Sequence, residues 1–214
     1  MPPRKKATEP VHQVDWESEH FTFRSIWHAA NVLRQAGEKD EEQGFWPLMG
    51  SLVLAYTAYE GFLNHLIERV YPAVWLQERT FFRAPPFEGT LGKTRFIAES
   101  AGLKLKTAEA PYRSVAELHA WRNELVHPRS IRESGIARAD VYARRTRSTK
   151  PVAFKKLAQS GFVDRCFTDL EKLSNALLLA MAENHHHVRW QEIRKLGQLA
   201  LWGPVGMGGG SLRK

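Results

Sequence analysis

The chain has 214 residues, 43% of them hydrophobic, seven Trp and a formal net charge of +8. This composition supports one domain with a proper core and excludes a disordered chain. A single cysteine, Cys166, rules out an intramolecular disulfide, and the longest apolar run, 176–182, is too short to span a bilayer.

Residues 1–14 begin Met-Pro-Pro-Arg-Lys-Lys, lack an apolar leader and read as a disordered basic arm, so a cytoplasmic location is expected. Over 17–36, Phe23, Ile26, Ala30 and Leu33 recur at helical spacing, and Gly37 reads as a stop. The strongest helix spans 45–70, where Leu48, Leu52, Ala55, Tyr59, Leu63, Leu66 and Val70 form a stripe ended by Pro72. The aromatic, proline-rich stretch 72–90 reads as an irregular packed loop, and a short helix over 91–101 stops at Gly102. Pro111 opens a further helix that runs to His127. A basic insertion follows over 129–159, and Ser160 then caps a helix over 161–187 with Val163, Cys166, Leu170, Leu173, Leu177 and Ala180 inward. A last short helix over 190–201 precedes a flexible glycine-rich tail, 203–214. No strand-alternating block stands out. The expected fold is all-α, a helical bundle of four main helices with extra short ones, occupying 15–202.

The chemistry concentrates in Trp121-Arg122-Asn123-Glu124-Leu125-Val126-His127-Pro128. On a helix, Leu118, Arg122, Leu125 and Val126 share a face, so Arg122 interrupts an apolar surface. A guanidinium there needs a hydrogen-bonding partner, such as Glu60 on the long helix, or a cleft to face. Pro128 ends the helix at His127 and frees its imidazole to turn toward Arg122. A helix-terminal His is also favoured by the helix dipole, which needs no chemistry. The bare spacing carries little, because Arg113 and His119 make a second Arg–His pair with five residues between them. Context adds more: the segment 129–156 alone carries +7, with Arg129, Arg132, Arg144, Arg145 and Arg147 as candidate phosphate contacts. A solvated loop is the plainer reading of that charge.

Arg122-Asn123-x-x-x-His127, late in a helix of an all-α chain, resembles the signature of the HEPN superfamily of ribonuclease and nucleotide-binding domains. Glu60 and Asn64, one turn apart, are similar to the Glu-x-x-x-Asn segment often found in the preceding helix. The resemblance covers roughly 20–185. It implies a metal-independent endoribonuclease, a toxin or defence component, whose motifs often meet across a homodimer and which an antitoxin or regulatory protein would restrain. His127 would take the proton of a ribose 2′-hydroxyl. Arg122 would bind the scissile phosphate. Asn123 would orient His127 or bond the substrate, and Glu60 would hold Arg122. The long Arg-rich insertion departs from the best-known toxin types. The alternatives are a non-catalytic RNA- or nucleotide-binding module and a protein-interaction scaffold.

Other signals are weaker. Gly92-Lys93-Thr94 lacks the first glycine and the preceding strand of a phosphate-binding loop. Consecutive His185, His186 and His187 point in different directions on a helix, so neither a metal nor another cofactor is expected.

Overall fold

A computed structural model describes residues 16–40, 43–126, 160–185, 201 and 206–210, with the backbone alone for 16–20, 160 and 206–210. The fold is all-α. Its helices are α1 (Thr22–Lys39), α2 (Phe45–Val70), α3 (Pro72–Trp75), α4 (Glu78–Phe81), α5 (Gly89–Ser100), α6 (Tyr112–Val126) and α7 (Ser160–Asn184). A short ribbon adds to them: Trp16–His20 (β1) pairs antiparallel with Gly206–Gly210 (β2), Trp16 opposite Gly210. The first helix therefore starts at Thr22 rather than Glu17, because the preceding main chain bonds across to β2. The same pairing gives part of the glycine run, expected as a tail, a strand partner. The expected arm 1–14 and the last helix 190–201, apart from Leu201, lie outside the described residues.

α2 organises the molecule, touching α1, α3, α5, α6 and α7. Fourteen of its 26 residues are buried, the whole expected stripe included, which is more than one face of a surface helix would hide. Pro47 falls in its first turn, where a missing N–H costs no helical bond.

Glycines set how closely α1 approaches α2. A Cβ on Gly61 would lie 3.0 Å from Phe23 Cβ, and one on Gly37 would lie 2.7 Å from Leu48 Cγ. Gly37 is thus inside α1, which continues to Lys39, and does not stop it. Its role is close packing, and the sequence pattern of a helix stop cannot be told from that of a packing glycine.

The stretch 72–90 holds two one-turn helices where a loop was expected, since Pro72 at the first helical position presets the dihedral angle. Its phenyl rings form a cluster in which Phe96 of α5 meets Phe81, Phe82 and Phe87 edge-on, with centroids 5.3–5.6 Å away. Gly92 of α5 has no room for a side chain, because a Cβ would lie 1.9 Å from the Phe87 carbonyl carbon. α5 ends as expected at Gly102, whose φ is +67°. Gly102 N–H bonds Glu99 O and Leu103 N–H bonds Ala98 O, the paired closure of a Schellman turn.

α7 closes the core. Val163, Cys166, Leu170, Leu173 and Leu177 are buried, whereas Ala180 is only partly so. Arg34 of α1 lies over the Phe167 ring and pairs with Asp164, and Arg165 pairs with Glu117 of α6. No described helix is long and apolar enough to cross a membrane.

Candidate functional site

α6 begins just after Pro111 and packs on α2 and α7 through Val115, Leu118 and Trp121, all buried. Arg122 follows on this side of the helix and is half-buried, so it does interrupt an apolar surface. The apolar face is narrower than expected at its end: Leu125 is partly buried, but Val126 is 42% exposed.

The surroundings of Arg122 are polar and continuous. Its Nη1 donates to Asn123 Oδ1 at 3.2 Å, and its Cζ lies 5.8 Å from the centre of the Tyr56 ring. Its Nε is buried without a hydrogen-bond partner. Asn123 Nδ2 is 3.1 Å from His119 Nε2, and the other ring nitrogen of His119 meets the Tyr56 hydroxyl at 2.5 Å. Four side chains from α2 and α6 thus link the Arg122 guanidinium to the Tyr56 phenol, and beside them Thr90 Oγ1 of α5 donates to Glu60 Oε1 at 3.1 Å.

Of the sequence candidates, Arg122 and Asn123 belong to this row and Glu60 lies beside it, without the expected direct contact with Arg122. Glu60 reaches Thr90 and influences His119 and Tyr56 through its charge, instead of pairing directly with Arg122. Asn123 bonds Arg122 and His119. Asn64 faces elsewhere: its Oδ1 accepts from Lys93 Nζ at 2.7 Å, and that buried ammonium also pairs with Glu78 and lies 5.5 Å from the Phe82 ring centre. Gly92-Lys93-Thr94 is therefore structural, with Thr94 bonded to the Tyr59 hydroxyl. His127, Arg129, Arg132, Arg144, Arg145 and Arg147 lie outside the described residues.

Tyr56, Thr90 and His119 were missed from sequence. Signals existed for two of them: His119 and Asn123 are one turn apart on α6, and Tyr56 and Glu60 one turn apart on α2.

Burial lowers the pKa of His119, Arg122 lowers it further, and Glu60 acts against both. Burial raises that of Tyr56. Both groups are thus held neutral near pH 7. Because Nε2 of His119 accepts from Asn123, its lone pair is engaged, and His119 is not placed to remove a substrate proton. Arg122 keeps donors to spare and forms no ion pair with any described carboxylate, so the site offers a cation to an anionic ligand. Among the described residues no group of three His, Cys, Asp or Glu could hold a metal ion. His185 bonds the Tyr71 hydroxyl through Nε2 at 2.8 Å.

Comparisons with protein-family profiles, curated proteins and solved structures return no match.

Proposed function

We propose that the chain is a HEPN-like endoribonuclease that cleaves RNA without a metal. Arg122 is the observation that supports this best: a half-buried guanidinium with an unpartnered Nε and no ion pair to a described carboxylate, five residues before His127. Arg122 would bind the scissile phosphate. His127 would take the 2′-hydroxyl proton as that oxygen attacks phosphorus. The bond to the 5′-oxygen breaks and that oxygen takes a proton from water, leaving a 2′,3′-cyclic phosphate and a 5′-hydroxyl end. Arg129, Arg132, Arg144, Arg145 and Arg147 would draw the polyanion to the site. A homodimer bringing two motifs together, a toxin or defence role in the cytoplasm, and restraint by an antitoxin belong to the same reading.

The test is incubation of purified protein with mixed single-stranded RNA in chelator. Arg122→Ala and His127→Ala should each lower cleavage at least about a hundredfold, with an unchanged thermal midpoint. RNA left intact by the unaltered chain, or cut by both variants as fast as by the unaltered chain, would overturn the reading. A second reading draws on His119: the described part of the site holds a cation but no free base, which suits an RNA- or nucleotide-binding module. Binding without cleavage would favour it.

A further inference from the structure

The hydrogen bonds between Arg122 and Tyr56 are consistent with only one direction of donation. A guanidinium can only donate, so the Asn123 atom beside Arg122 Nη1 is the carbonyl oxygen, and the amide nitrogen faces His119. That nitrogen donates to Nε2, which must be unprotonated. The ring proton is then on Nδ1 and is given to Tyr56. Arg122 thus selects one amide orientation at Asn123, and through it one tautomer at His119.

We propose that His119, as its neutral Nδ1–H tautomer, is the positioning residue that orients the Arg122 guanidinium through Asn123, with the Tyr56 hydroxyl accepting the Nδ1 proton from behind. This rests on the reading of Arg122 as the group that binds an RNA phosphate. A proton on Nε2 would face the amide donor of Asn123. The amide must then turn and present its nitrogen to the guanidinium, or the contact must break. Either event releases Arg122. The charged and titratable groups bearing on His119 are Arg122 on its own helix and Glu60 and Tyr56 on α2. A glutamine at this position can offer an oxygen where Nε2 stands and cannot be protonated, whereas alanine offers nothing.

The experiment uses the full chain with ¹⁵N-labelled histidine and arginine. Near neutral pH, His119 should show a proton on Nδ1 and a bare Nε2, and rotation of the Arg122 guanidinium should be hindered. His119→Ala should free that rotation without disturbing the amide spectrum of the other helices. His119→Gln should keep it hindered when the pH is lowered until the unaltered chain loses it. With a mixed-sequence single-stranded RNA as probe, His119→Ala should bind about tenfold more weakly and His119→Gln within about twofold. An Nε2–H tautomer, or identical Arg122 dynamics in His119→Ala, would overturn the positioning role whatever the RNA does. A chain that binds no RNA, yet shows the expected tautomer and Arg122 dynamics, would overturn the proposed function and leave the positioning role standing.

Discussion

His65 packs against the rings of Phe21 and Phe23, with centroids 5.2 and 5.5 Å away, and Arg24 lies over the same two phenyl groups. Burial first, and the charge of Arg24 second, lower its pKa to about 4. The folded chain therefore takes up this proton later than the unfolded one. The stability contributed by neutral His65 is complete above its ordinary pKa and is lost as the pH falls through about 4. The loss should reach about 3 kcal/mol. Urea midpoints measured across that range should fall less steeply in His65→Leu than in the unaltered chain, and equal slopes would show that His65 is not the group responsible. His119 acts in the same direction, so some slope should remain. At this scale the interruption of an apolar helical face by Arg122 was legible, because helical periodicity places that residue between Leu118 and Leu125. His119 was not. It entered the sequence reading as the partner of Arg113 in a chance pair, and its place depends on Tyr56, 63 residues away.

Among the elements, α2 was legible to the residue, because a long stripe bounded by two prolines leaves little freedom. The segment between α2 and α5 was not, since its short helices are held by rings meeting from distant positions. Gly92 measures how tightly that segment lies on α5. Gly92→Ala should cost about 3 kcal/mol, because its new Cβ meets main chain that cannot rotate away. Gly161→Ala, where a Cβ meets nothing within 4 Å, should raise stability by up to about 1 kcal/mol. Thermal melts of the two variants give the comparison, and equal midpoints would contradict the packing at Gly92.

For the whole molecule, charge is the property most visible in sequence and least connected to the described core. The +8 of the chain is largely the +7 of 129–156, adjoining the end of α6 where Arg122 sits. If its five candidate arginines meet phosphates, binding to single-stranded RNA should weaken about a hundredfold between 50 and 200 mM salt. Replacing Arg144, Arg145 and Arg147 together by alanine should reduce the logarithmic salt slope by about 2. A slope unchanged by the triple substitution would move RNA binding away from this segment. The all-α class was legible because helical periodicity needs only local sequence. The β1–β2 ribbon was not, as pairing between 16–20 and 206–210 joins the two ends of the chain and one side of it is nearly all glycine.

Cys166 gives the molecule a built-in clock. It is the only thiol in the chain, 1% exposed, and burial pushes its pKa up to about 12. A thiol reagent needs the thiolate, so it waits for α7 to lift from the core. Its rate then counts openings of the fold. Because α7 closes on both α2 and α6, that one sulfur times the release of the helix carrying Arg122 as well as its own.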